Sequence, residues 1–307
     1  MSADAVVFDR VSRRYGAVEA VRDLSLSIRA GEMFGLIGPD GAGKTTTIRM
    51  LCGLLRADSG SVRVLGLDPV SQHRQVTSSV GYLSQRFSLY ADLSINENIA
   101  FFAEIHGMRD YAARRTRLLE LTQLTPFGNR LAGQLSGGMK QKLALACTLI
   151  HEPRLIVLDE PTTGVDPVSR REFWKLLSEF LSQGITIVMS TPYLDEAERC
   201  SRVALLHKGQ LLALDAPDVL RQSLPGALFE VLSPDHRRAV AALRTFPDVA
   251  NVQTFGERAH VRLVAPAADA AEQLAAELRQ AGVPVTSVRQ VPPSLEDVFV
   301  TRLGELQ

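Results

Sequence analysis

The sequence predicts an α/β fold: a phosphate-loop core on a mostly parallel sheet, with a helical lobe, followed by a small C-terminal α+β domain. Three observations carry this reading. A short apolar run, Met33–Ile37, ends in the turn Gly38-Pro39-Asp40-Gly41-Ala42-Gly43-Lys44-Thr45 and passes into a helical segment over residues 45–54; strand, glycine-rich loop and helix in that order open a crossover unit. Further apolar runs at residues 155–158, 185–189 and 203–207, with an amphipathic helix at 167–183, continue the alternation, which implies parallel strands covered on both faces. Beyond Pro225, short strands at 228–232, 249–254, 260–265 and 285–291 alternate with two helices in the order βαββαβ, the split ferredoxin-like pattern.

In chain order, residues 6–11 and 24–28 read as strands, the second alternating strictly as Leu24-Ser25-Leu26-Ser27-Ile28. A capping-box pattern, Ser94-Ile95-Asn96-Glu97, opens a mostly helical stretch that reaches about His151. The predicted domains are therefore 1–224, with a helical lobe at about 86–152, and an accessory domain at 225–307 in which no catalytic constellation is visible.

Composition narrows the function classes. Acidic and basic residues balance at 34 each, so no polyanion-binding tail stands out and no nucleic-acid partner is expected. No apolar run approaches the ~20 residues that cross a bilayer, residues 143–150 being among the longest. Met1 to Phe8 lacks the basic and apolar stretches of a secretory signal. A chain that does not itself span a membrane is expected. Cys52, Cys147 and Cys200 are widely spaced, without metal-ligand spacing, and read as buried or half-buried thiols of a reducing cytosol.

The chemistry lies at two strand ends. In the segment Gly38, Pro39, Asp40, Gly41, Ala42, Gly43, Lys44, Thr45 and Thr46, glycines let backbone N–H groups turn inward around phosphate oxygens, and the following helix N-terminus adds positive potential. Lys44 is placed to reach the β- and γ-phosphates of ATP, and the Thr45 hydroxyl to bind Mg²⁺. The run Leu155-Ile156-Val157-Leu158-Asp159-Glu160 delivers two acids to the carboxyl edge of a buried strand, where ligands sit in open α/β sheets. Asp159 is expected to hold Mg²⁺ through water and Glu160 to act as general base on the attacking water.

Leu135-Ser136-Gly137-Gly138-Met139 resembles the signature of ABC ATPases, and the other motifs follow in that family's order. The resemblance implies a RecA-like core and two such domains stacked head to tail. Ser136, Gly137 and Gly138 would close over the partner's ATP; Ser136 also suits a helix N-cap. By the same resemblance Tyr15 stacks on adenine and Gln85 senses Mg²⁺ while joining the core to the helical lobe. Asp166, in Gly164-Val165-Asp166-Pro167, belongs to a loop crossing the dimer interface. Phe87, Leu89 and Tyr90 either floor a groove for an integral membrane permease or pack internally.

The chain is similar to the ATP-binding subunits of type-2 ABC exporters, the drug-efflux group, in its Gly-Pro-Asp-Gly loop, its Leu-Ser-Gly-Gly-Met-Lys-Gln signature and its ending Pro293-Ser294-Leu295-Glu296-Asp297-Val298-Phe299. That implies a cytoplasmic protein, peripheral on the inner face of the cell membrane, paired with a permease and a second ABC ATPase domain. One departure stands out. Where the family places a switch histidine after Ser-Thr, this chain reads Ser190-Thr191-Pro192-Tyr193-Leu194-Asp195-Glu196. Proline offers no side-chain donor, and His207, after a later strand, reads as a poor substitute. ATP binding with slow hydrolysis is expected unless a partner domain with an intact histidine compensates. Two other readings are a nucleotide-binding module that gates without hydrolysis, and a soluble ABC ATPase of DNA repair or translation. Relatives of the latter kind carry tandem domains or a long coiled coil, and neither is visible here.

Overall fold

The computed structural model describes residues 4–85, 89–265 and 267–305, and the chain divides into two compact units, Met1–Leu214 and Asp215–Gln307.

The first unit opens with two long strands, β1 (Asp4–Tyr15) and β2 (Val18–Arg29), then β3 (Met33–Ile37), α1 (Lys44–Leu51), β4 (Ser59–Val64), α2 (His73–Thr77) and β5 (Val80–Leu83). The helices α3 (Ile95–Ile105), α4 (Ala112–Leu121) and α5 (Gly137–Leu149) follow, with two short 3₁₀ turns before α5. Next come β6 (Leu155–Asp159), α6 (Pro167–Ser182), β7 (Thr186–Thr191), α7 (Leu194–Ala197), β8 (Arg202–His207) and β9 (Gln210–Asp215). One sheet runs β5-β6-β7-β3-β8-β9. Its β5–β6, β6–β7, β7–β3 and β3–β8 pairs are parallel. The central strands β3, β6 and β7 are buried at every position, which is why they read as unbroken apolar runs.

The sequence did not show the second sheet, β2-β1-β4, which is antiparallel throughout. Its members β1 and β2 extend well beyond the alternating stretches, and β4, Ser-Gly-Ser-Val-Arg-Val, buries only Val62 and Val64. A half-buried strand containing glycine has little periodic signal. The two sheets share a core that includes Phe8, Val11, Ile28, Phe34, Ile48 and Val157. The helical stretch opens on the expected capping box: Ser94 accepts from Glu97 N, and Glu97 accepts from Ser94 N at 2.8 Å.

The second unit comprises α8 (Pro217–Gln222), β10 (Ala227–Leu232), α9 (His236–Leu243), β11 (Val249–Phe255), β12 (Arg258–Leu263), α10 (Ala270–Gln280), β13 (Ser287–Val291) and α11 (Leu295–Gly304). Its sheet order, β11-β12-β10-β13, with every pair antiparallel, is the ferredoxin-like arrangement. Phe229, Val231, Val261 and Leu263 pack against Leu243 of α9 and Leu274 and Leu278 of α10. The unit starts earlier than the Pro225 boundary read from composition, because α8 packs with α11. α11 was not anticipated either; its capping box, Ser294 with Asp297, is a legible start signal.

Candidate nucleotide site

β3 delivers the phosphate loop. Gly38 N donates to Thr191 O at 3.4 Å, fixing the start of the turn to the end of β7. Gly43 has φ +101, and a Cβ there would run into the carbonyl of Ala20; only glycine can feed α1 at this angle. The loop borders an open cleft of about 690 Å³ lined by Tyr15, residues 40–46, Gln85, Glu160 and Lys208. Gly38 and Pro39 stand behind it, and their carbonyls accept from Lys44 Nζ at 2.8 and 3.1 Å. Lys44 is 4% exposed, and its third contact is Glu160 Oε1 at 3.1 Å.

β6 delivers the acids. Asp159 is 2% exposed, and its Oδ1 accepts from Thr45 Oγ1 at 3.1 Å and Ser190 Oγ at 2.6 Å. Glu160 sits at φ +49, a left-handed conformation that costs a non-glycine residue of order 1 kcal/mol and is held only by its surroundings. Its N–H donates to Ser190 O at 3.2 Å and Ser190 Oγ at 3.0 Å. Its Oε2 accepts from Gln85 Nε2 at 3.0 Å. Lys44, Thr45, Gln85, Asp159 and Glu160 thus form one continuous network. Asp159's charge also reaches its neighbours: burial, then that charge, pushes the Cys52 thiol and the Tyr82 hydroxyl each up to about 12. Burial likewise raises Cys147, and with Glu196 raises Cys200 to about 12. All three thiols are buried and free, and burial disfavours their thiolate forms.

Tyr15 ends β1 at the cleft's edge, 44% exposed, with the Arg13 guanidinium 5.2 Å from its ring centroid. The signature residues do not line this cleft. Ser136 caps α5, accepting from Met139 N at 3.3 Å. The position of Gly137 faces open space, while a Cβ on Gly138 would strike Ser169 at the start of α6. The two glycines therefore differ: one is open to a partner and the other permits close helix packing. Asp166 caps α6, accepting from Val168 N and Ser169 N at 3.0 Å each, and the Ser169 hydrogen bonds hold its carboxyl below the usual range. Leu89 is half-buried, and exposed Tyr90 meets Phe101 edge-on at 4.5 Å; Phe87 lies outside the described residues. Pro192 is half-buried, and neither it nor His207 lines the cleft.

Three contributors escaped the sequence reading. Ser190 holds both acids, Gln141 of α5 is fully buried and donates to Pro161 O, and Lys208 adds a cation to the cleft wall. Ser190 could have been found from its place at the end of a central strand beside the phosphate loop; Gln141 closes the signature run, but nothing local marks its reach to Pro161.

Residues 21–163 match the model of the ABC transporter family, and residues 216–302 match the C-terminal domain of DrrA1-3-like ATP-binding proteins. The chain is 42% identical to the probable multidrug ABC transporter ATP-binding protein YbhF of Escherichia coli (strain K12), over 98% of this chain and 52% of that protein; it spans about half the length of that curated relative. It is 37% identical to Nod factor export ATP-binding protein I of Burkholderia orbicola, over 99% of this chain and 98% of that one. It is 35% identical to daunorubicin resistance ATP-binding protein DrrA2 of Streptomyces coeruleorubidus, over 99% and 96%. Among solved structures, an ATP-binding subunit of an ABC transporter superposes with TM-score 0.65 at 29% identity, covering 71% of this chain and 92% of that one. The dimeric structure of MJ0796, a bacterial ABC transporter cassette, gives TM-score 0.61 at 26% identity, covering 69% and 98%.

Proposed function

The chain belongs to the ATP-binding proteins of ABC transporters, and from that premise we propose that it drives a drug or small-molecule exporter by binding and hydrolysing ATP at the Lys44–Glu160 cleft. The single observation that carries the proposal is the pinning of Glu160 between Lys44 Nζ at 3.1 Å and Gln85 Nε2 at 3.0 Å, at the rim of a glycine-lined cleft. Lys44 has three donors and three acceptors around it, so a γ-phosphate competes for the same ammonium and loosens its hold on Glu160. Gln85 keeps the other carboxylate oxygen in place. Glu160, so oriented, accepts the proton from an attacking water, and Lys44 bears on the charge that develops on the phosphate. Backbone N–H groups of residues 41–46 cradle the phosphates, and Tyr15 offers its free ring face to adenine.

The Thr45 hydroxyl, on the cleft wall, and the buried Asp159 carboxylate 3.1 Å from it make an oxygen-only donor pair that suits Mg²⁺. Bound there, Mg²⁺ would neutralise charge on the phosphate oxygens. Open Gly137 and capped Ser136, outside their own cleft, fit a head-to-tail pair in which each signature closes the partner's site. An integral membrane permease is the third component, and the names of the export relatives support it. No helix among the described residues is long and apolar enough to cross a membrane. Those relatives lend nothing to a role in DNA repair or translation.

Pro192 places no donor at the cleft, so we read this site as the slower member of an asymmetric pair. The test is steady-state ATPase activity of the chain alone and with the membrane protein that co-purifies with it. Turnover that rises on assembly supports the proposal; recovery of no integral membrane protein, or no turnover in either state, contradicts it.

A further inference from the structure

A buried carboxylate of the first unit lies outside the lining of the nucleotide cleft. Glu196, in α7, is 1% exposed, and three separate elements converge on it. Thr162, two residues beyond Glu160, donates its hydroxyl to Oε1 at 2.5 Å. Thr191, the last residue of β7, donates to Oε2 at 2.7 Å. Arg170, in the first turns of α6, brings its Nε to 3.7 Å from Oε1 and lays its guanidinium over Tyr193, 5.1 Å from the ring centroid. Both threonines are sealed from solvent, at 1% and 0% exposure.

A carboxylate in such a place is costly unless donors surround it, and an apolar residue would fill the space with less penalty. What this carboxylate provides is a tie between two loops. The preceding residue, Ser190, already holds Asp159 and the Glu160 N–H. Thr191 passes the position of the same strand end to Glu196, and Glu196 passes it to Thr162 in the loop between Glu160 and α6. With proline at 192, no side chain at the switch position can make that link directly.

We infer that Glu196 is a positioning residue for hydrolysis: it locks the loop 161–166 to the end of β7, and so fixes Glu160 from its C-terminal side. This rests on the reading of Glu160 as general base. None of Thr162, Thr191 and Arg170 lines the nucleotide cleft, so loss of Glu196 acts on the chemical step and spares the grip on ATP.

The test uses Glu196→Ala and Glu196→Gln in the full chain with its membrane partner. Gln keeps the shape and one acceptor, and the threonine hydroxyls can rotate to accept from its amide. Expected for Ala is a fall in kcat of about tenfold or more with KM for ATP within about twofold, and for Gln recovery of most of kcat. Independently of turnover, amide hydrogen exchange with ATP present should speed up about tenfold or more over residues 161–166 in Ala, stay near parental in Gln, and be unchanged in the phosphate loop. Unchanged kcat and unchanged exchange at 161–166 in Ala overturn the inference. So does a loss of protection throughout the unit that Gln shares, since that marks a merely structural group. Absence of parental turnover above that of Glu160→Gln would instead sink the reading of this site as hydrolytic, and the exchange result alone would then decide the role of Glu196.

Discussion

In the first unit Glu160 is shared between Lys44 and Gln85 at an open cleft; in the second, Glu230 is shared between Arg258 at 3.1 Å and Arg289 at 2.8 Å on one face of a sheet. The residue types are alike, and the settings separate them. Glu160 stands at φ +49 at a strand end, beside backbone that glycines have cleared for a ligand. Glu230 lies within β10 and is itself buried, while its arginines are 58% and 64% exposed, so solvent screens the contacts from the arginine side. His260 and Asp297, 2.9 Å apart, are likewise committed, since Asp297 also closes the capping box of α11. Polar residues of the second unit hold its own strands and helices in place. Those of the first gather where phosphate oxygens can compete for them.

The contrast can be broken most severely at Lys44. Lys44→Ala removes the ammonium that spans the loop carbonyls and Glu160, and turnover should fall about 10²–10³-fold or more together with nucleotide binding; a fluorescent-nucleotide titration beside the ATPase assay checks both. Pro192→His should raise turnover about tenfold by restoring a donor at the switch position, with an unchanged rate counting against the account of a degenerate switch. In the second unit, Glu230→Gln should leave ATPase activity at the parental level and cost no more than about 1 kcal/mol in thermal unfolding. Its pH dependence has a definite sign. The Arg289 hydrogen bond, with further help from both guanidinium charges, lowers the Glu230 carboxyl below its usual 4.5. The stability this adds is complete above pH 4.5 and is lost as pH falls through the lowered native value, so the parent and Glu230→Gln should converge in acid.

A further pH-dependent effect lies in the first unit but away from its cleft. His151 stacks on His106 at 3.7 Å, and burial, followed by the charge on His106, lowers it to about 4 from 6.5. A histidine kept neutral in the fold takes up its proton on unfolding, so stability should decline as pH drops from 6.5 toward 4. His151→Gln should flatten that slope when unfolding midpoints are compared at pH 7 and pH 5.

The sequence disclosed what is local and missed what depends on distant partners. The phosphate loop, the acidic strand end and the N-caps Ser94 and Ser136 each lie within a few consecutive residues, and the structure puts them at the predicted strand and helix ends. The β2-β1-β4 sheet, the hold of Ser190 on the two acids, and the Thr162–Glu196–Thr191 link all join residues about 30 or more apart or lack any periodic pattern. Gly138 shows the limit most plainly. The signature resemblance implies that it closes over a partner's ATP, yet the space its missing side chain leaves is occupied by Ser169, a contact no spacing rule encodes.

The account turns on whether Glu160 performs chemistry in the cleft or merely neutralises Lys44. The most direct measurement is ATP binding and steady-state turnover of Glu160→Gln in the assembled complex, against the parent. The account predicts ATP affinity within about threefold of the parent, because Lys44 and the loop remain, with turnover through this site reduced about 10²-fold or more. Turnover equal to the parent's would contradict it and leave the chain a nucleotide-gated module that does not hydrolyse ATP.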